Sequence, residues 1–314
     1  MNIRLCRSLI GSAAWVALLF PSPVAGQGQA GGAPDSVCPD DNHAAFHACA
    51  VEAATNFDPP RAPDGTPDFS GYWRRRVAAF EDFEAHPRNP DDSGGPSVVV
   101  DPADGKVPIQ PWADQRRREN AEKYVHHNAA CLLAGGPGTM YMANIYQFLP
   151  TPDYFVVIGE GLSAHPFRII PVKPLSHVGP KISLWQGDPL GRWEGNTLVI
   201  DTANHNALPF LDQRGRFLTE EARITERLTM IDPNTLHYET TYDDPNVYTR
   251  PFTIAFAFRR DDREGIEVWE EACYESNPEQ MQLFRNSGFA VNPGISADEA
   301  RTIKRAWEAR EAQQ

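Results

Sequence analysis

Apolar and polar residues alternate with a period of two through much of the second half of the chain. From Ala222, the residues Ile224, Leu228 and Met230 share one side with Glu226 among them, while Arg223, Thr225, Arg227 and Thr229 take the other. That is the signature of a half-buried strand. Asp232-Pro233-Asn234-Thr235 turns the chain, and Leu236, Tyr238, Thr240 and Tyr242 then alternate with His237, Glu239 and Thr241. Asp243-Asp244-Pro245-Asn246 turns it again, and Phe252, Ile254, Phe256 and Phe258 alternate in the following run. Asp, Asn and Pro at these breaks are turn formers. A last strand is expected from about Ile266 to Tyr274. With Gly-Arg-Trp-Glu-Gly-Asn-Thr-Leu-Val-Ile-Asp-Thr (191–202) opening it, the stretch 191–275 reads as an antiparallel meander.

Further strands are expected at Val98–Val100, Met140–Leu149, Tyr154–Gly159, Phe167–Val172, Ile182–Trp185 and Thr197–Thr202, with Pro150-Thr151-Pro152-Asp153 and Gly187-Asp188-Pro189-Leu190 as punctuation. Helices are predicted over Asp41–Thr55, over Trp112 to about Cys131 with a charged face, and over Ala297–Ala312, where Ser296 is placed to cap. An antiparallel sheet of nine or ten strands tends to curl and close so that no edge is exposed. The predicted fold is therefore mainly β, an antiparallel up-and-down barrel, with a β-sandwich as the alternative. The chain divides into a signal peptide (1–26), a leader and disulfide-bearing arm (27–60), an irregular segment with a helix packing on the barrel (61–139), the barrel (140–296) and a C-terminal helix (297–314).

The first 26 residues change the picture of location. Arg4 and Arg7 precede a short apolar run to Phe20, and Pro21-Ser22-Pro23-Val24-Ala25-Gly26 supplies small residues for cleavage, the pattern of a secretory signal peptide. The expected address is periplasmic or secreted, with no membrane span. The formal charge of −13 includes Arg4 and Arg7, and residues 1–26 hold no acid, so removing them leaves −15. Such an acidic chain is a poor partner for nucleic acid. Four cysteines remain after Cys6: Cys38, Cys49, Cys131 and Cys273. In an oxidising compartment an even count suggests two disulfides. Cys38 with Cys49 is the local pair, which leaves Cys131 with Cys273, one of three possible connectivities. Nothing in the pattern sets an oligomeric state.

Candidate chemistry gathers in three places. Cys38-x4-His43-x3-His47-x-Cys49 has residues of metal-ligand type, but cysteines held in a disulfide offer no thiolates, so no metal is expected there. His126 and His127 close the predicted internal helix, beside Gly135-Gly136-Pro137-Gly138 and close to Tyr141 and Tyr146. One histidine is the candidate general base and one tyrosine the acid or oxyanion donor. His205 and Asp212, leaving the strand that ends near Thr202, form a competing pair with Arg214 close by. Trp185, Trp193, Tyr238, Tyr242, Phe252 and Trp269 are expected to line the barrel as a core or as a ligand surface. Glu226, a carboxylate on an apolar strand face, is the buried acid to watch, with Arg168 as its candidate partner. The nucleophile-elbow, phosphate-loop, dinucleotide, zincin and haem-attachment motifs are missing, and no cofactor is expected.

Four motifs carry a resemblance: Arg-x-Pro-Asp-Gly-x-Pro-Asp-Phe-Ser-Gly-x-Trp (61–73), the Cys131–Pro137 corner, residues 191–202 and Asp-Asp-Pro-Asn-Val-Tyr-Thr-Arg-Pro-Phe-Thr (243–253). Together the chain resembles a family of exported bacterial proteins, differing from its usual pattern in having Asn196 where Asp is common. Gly71-Tyr72-Trp73 is also similar to the Gly-x-Trp start of lipocalin-like barrels. The resemblance implies export and a barrel, and assigns no catalytic residue. The expected function is cofactor-free acid–base chemistry (a lyase, isomerase or hydrolase) on a small hydrophobic aromatic or terpenoid molecule, or simple binding of such a molecule.

Overall fold

A computed structural model describes residues 36–77, 79–89, 93–161, 166–269 and 278–313. The expected signal peptide, Cys273 and the second half of the expected Ile266–Tyr274 strand lie outside these residues. In chain order the elements are α1 (His43–Ala54), β1 (Gly71–Arg76), β2 (Val99–Asp101), α2 (Pro111–Lys123), α3 (Thr139–Met142), β3 (Ile145–Pro150), β4 (Tyr154–Glu160), β5 (Phe167–Pro171), β6 (Asp188–Glu194), β7 (Thr197–Ala203), β8 (Arg223–Asp232), β9 (Thr235–Asp243), β10 (Phe252–Arg260), α4 (Pro278–Asn286) and α5 (Ala297–Glu311). Ser296 caps α5 by accepting from the Glu299 amide.

The strands hydrogen-bond in the order β5-β4-β3-β1-β10-β9-β8-β7-β6, and short β2 joins β10 off this path. Read around a ring, this is sequence order, so the protein is an up-and-down antiparallel barrel, nearly closed. Nine strands cannot close on antiparallel neighbours throughout. An odd count forces one adjacent pair to run the same way, and here that pair is β5 and β6, which no ladder joins among the described residues. They approach closely all the same: a Cβ on Gly191 of β6 would lie 2.9 Å from Val172 Cγ1 and 3.2 Å from Ile170 Cγ2. Glycine is needed there because the seam is closed by side-chain packing and leaves no room for another.

The alternation expected from sequence sets the core. Ile224, Leu228, Met230, Leu236, Tyr238, Tyr242, Phe252, Ile254, Phe256 and Phe258 all point inward and are buried. Their rings pack on one another: Tyr238 lies 4.9 Å from Phe256, Phe148 5.5 Å from Phe258, and Tyr242 stacks on Phe252 at 5.0 Å. Each such side chain removed from water contributes about 1.5–3 kcal/mol. The outer faces of β8 and β10 are covered by α1, whose Phe46 and Ala50 pack with Ile231 and Ala257. A Cys38–Cys49 disulfide, as expected, ties the ends of that segment together. Cys131 is also disulfide-bonded.

Several expectations are corrected. The predicted irregular segment contributes β1, which sits between β3 and β10 at the middle of the sheet. The internal helix stops at Lys123 because Tyr124 is extended, and the Val125 amide donates to the Ala290 carbonyl at 3.0 Å. Residues 140–144 form the end of a helical turn, not strand, and Ile182–Trp185 makes only the isolated Leu184–His205 bridge. No strand forms over 261–269, and Trp269, expected to line the interior, is 72% exposed.

Candidate functional site

Two of the resemblance motifs meet in space. Arg61 Nη2 donates to Asn196 Oδ1 at 2.7 Å, Asn196 Nδ2 donates to the Phe57 carbonyl, and Phe69 packs edge-on against half-buried Trp193 at 5.2 Å. The amide at position 196 therefore serves as a joint between segments. In a third motif, Asp244 accepts from the Thr219 amide and hydroxyl and from the Asn246 amide, so it is a turn residue, as its sequence suggested.

His126 and His127 leave the chain just after α2. A single 3-10 turn, His127–Ala130, replaces the expected helix end, so a helix dipole does not act on them. Their ring centroids lie 3.9 Å apart with the planes tilted by 37°. Phe80 meets His126 edge-on at 5.0 Å, Phe210 lies beyond it, and Trp185 approaches His127 at 6.3 Å. Burial pushes the His126 pKa down to about 3, and burial together with His126 pushes His127 well below its usual value. Both rings are therefore neutral. The Asn128 amide donates to His126 Nδ1 at 3.3 Å, so that nitrogen carries the lone pair and the proton is on Nε2. His126 Nε2, both nitrogens of His127 and Asn128 Oδ1 are buried without a hydrogen-bond partner. Buried polar atoms left so cost about 1–3 kcal/mol each, so the cluster calls for a partner such as an ordered water or a ligand.

His126 lines an otherwise mostly apolar cleft of about 280 Å³ formed by Ala121, Tyr124, Val125, Ala129, Phe210, Phe284 and Phe289, with Gln213 at its edge. A second space, between the glycine corner, Trp185, His205 and Ile224, holds only about 20 Å³. That is room for one water and no organic ligand. The difference in size decides between them. The glycine corner serves packing: a Cβ on Gly135 would sit 2.3 Å from the Pro209 ring.

The remaining candidates are placed elsewhere. Tyr141 donates to the Leu211 carbonyl at 2.8 Å and accepts from Tyr242 at 3.5 Å, while Tyr146 lies in the barrel core against Phe148 and Phe258. Burial pushes both phenols up, which keeps them protonated. His205 and Asp212 are not paired. Asp212 is fully buried and accepts from the Arg214 and Arg216 amides and the Arg216 guanidinium, and Arg216 also reaches Asp82 at 2.6 Å. That makes Asp212 the centre of a structural ion-pair network. His205, pushed down to about 4 by burial, faces the water-sized space. Trp185 Nε1 donates to the Leu133 carbonyl at 2.7 Å.

The pairing of Arg168 with Glu226 is found. Arg168 Nη1 and Nη2 each reach a Glu226 oxygen at 2.7 Å, and the Tyr238 hydroxyl donates to the same carboxylate at 2.7 Å. The group spans the interior from β5 to β8 and β9, wholly shielded from water. Phe252 and Tyr242 pack on Phe83 as core. Sequence reasoning missed Phe210, Phe284 and Phe289, because they come from loops and α4 and share no periodic run with His126.

Compared with known proteins, the chain matches no family model and no curated sequence. Among the described residues, no helix is long and apolar enough to cross a membrane.

Proposed function

We propose that the protein binds a small hydrophobic, aromatic or terpenoid molecule carrying one hydrogen-bond acceptor, in the cleft beside the barrel walled by Phe210, Phe284 and Phe289. The observation that carries this reading is His126, which lines a mostly apolar cleft of about 280 Å³ and whose Nε2 is a buried donor with no protein partner. Ligand sites have this make-up, apolar walls with a few placed polar groups. A carbonyl, ether or phenol oxygen satisfies the donor. The barrel is the scaffold, its interior filled by the protein's own rings. Export to the periplasm or beyond fits the charged start and apolar run of the first 26 residues, the likeness to exported bacterial proteins and the Cys38–Cys49 disulfide.

A second reading, acid–base turnover of the same ligand, is favoured by the adjacent His127, whose two nitrogens are uncommitted. In that reading His126 polarises the oxygen as a neutral donor and His127 moves the proton.

The test is titration with the neutral probe N-phenyl-1-naphthylamine, and with a naphthol or naphthyl ketone of similar size. One molecule should bind per chain. His126→Phe should weaken the oxygen-bearing ligands roughly 2- to 10-fold, the value of one buried hydrogen bond, and spare the probe. Phe289→Asp should weaken all of them. Failure of every ligand to bind, or indifference to both substitutions, overturns the reading. Product formation that ceases in His127→Phe would promote the second.

A further inference from the structure

Residues pointing outward from β9 are expected to face solvent, yet His237 is almost fully buried, because α1 lies over it. His237 and Glu239, two apart on one strand, share the outer face, and α1 brings His47 down onto them. His47 Nδ1 lies 3.1 Å from His237 Nε2 and 3.7 Å from Glu239 Oε1, and one ligating atom from each of the three residues falls within 4.8 Å of the others. The geometry points to a binding site for a late first-row divalent cation, Zn²⁺ above all, built from His47, His237 and Glu239.

Two properties support it. Nitrogen and oxygen ligands about 2.0–2.1 Å from a tetrahedral zinc are separated from one another by about 3.3 Å, close to the first two distances here. Glu239 is half-buried on a flexible side chain and can close the third. Second, the ligands are held before any ion arrives. Phe46 meets the His237 ring edge-on at 5.6 Å, the strand register fixes His237 and Glu239, and the Cys38–Cys49 disulfide anchors α1 two residues beyond His47. Arg227 sits opposite Glu239 in the β8–β9 register and is paired with Glu194 at 3.1 Å.

Two histidines and one carboxylate leave a coordination position open toward solvent, the arrangement of a catalytic or exchangeable site rather than a sealed structural one. The site is separate from the His126 cleft. The expectation that this arm binds no metal concerned His43 and His47 with the cysteines; here His47 turns to the barrel and the cysteines hold the helix that carries it.

The experiment is competition for Zn²⁺ between mag-fura-2 and the purified, chelator-stripped protein with its disulfides intact. One equivalent should bind per chain, and Co²⁺ in its place should give the visible bands of a four- or five-coordinate ion. His47→Gln and Glu239→Gln, both at half-exposed positions that the fold tolerates, should each weaken Zn²⁺ binding roughly tenfold or more. His177→Gln, an exposed histidine paired with Asp188, should leave it unchanged. No stoichiometric binding by the parent protein, or binding that survives both His47→Gln and Glu239→Gln, overturns the proposal. Intact mass and circular dichroism of each variant show that helix and disulfide are in place, so loss of binding reports the ligand.

Discussion

Arg168 and Glu226 form a two-toothed ion pair through the middle of the barrel, both nitrogen–oxygen distances 2.7 Å, with neither side chain more than 1% exposed. Arg168 stands on β5, at the unladdered side of the sheet, and Glu226 stands beyond β6 and β7 on β8. The pair therefore bridges the two sheet ends that backbone hydrogen bonds leave apart. Burying two charges gains little net stability, because desolvation offsets their attraction. Losing one partner is another matter.

Glu226→Gln should destabilise the fold by about 3–5 kcal/mol, since the Arg168 charge is left buried and unpaired. Replacing the whole group at once, Arg168→Met with Glu226→Leu and Tyr238→Phe, removes the charges and the hydroxyl together. It should recover most of that loss. Urea unfolding of the parent, the single variant and the triple variant checks this, and a triple variant as unstable as the single one would contradict it.

Gly191→Val should be severe for so small a change. Its Cβ alone would meet Val172 and Ile170 within 3.2 Å, and overpacking of this kind costs about 1–3 kcal/mol or more. A second consequence is specific to the seam: hydrogen exchange should accelerate in β5 and β6 before β8 and β9. Uniform acceleration across all strands would count against the seam being held by side-chain packing.

Acid should loosen the fold well above the carboxylate range. Burial pushes His43 and His205 down to about 4 and His126 to about 3, whereas in the unfolded chain each titrates near 6.5. Below pH 6.5 the unfolded state takes up protons that the native state refuses. Stability is thus full above about 6.5 and falls as pH drops toward 4, each histidine adding a slope of up to about 1.4 kcal/mol per pH unit. Urea midpoints at pH 7.5, 6 and 5 should decline in that order. Equal midpoints would contradict the burial of these rings.

The hairpins β8–β9–β10 were legible because one face is apolar throughout and Asp-Pro-Asn turns punctuate them. Glu226 stood out as the one acid on that face, and its burial followed. β1 was not legible as a strand, because Arg74-Arg75-Arg76 hides a run whose inward residue is Trp73. β6 was read mainly as punctuation, since its Pro189 and Gly191 are poor strand formers and most of it is half exposed. Tyr124 ends α2 only because residues 123–125 pair with Ala290, a contact 165 residues away that no local pattern encodes. The same limit hid both candidate sites. His237 and Glu239 read as the solvent side of a strand until α1 covers them, and the cleft walls beside His126 come from three separate segments.

An even-stranded barrel has no beginning and no end, but this one has both. The outer edges of β5 and β6 lie side by side with their peptide groups unclaimed by each other, and everything that holds them together is carried by side chains. Such a ring can part at one place without breaking a ladder. Its weakest line is therefore chosen by arithmetic, the parity of its strands, before any residue there is considered, and Gly191 and Arg168 are where the sequence answers that constraint.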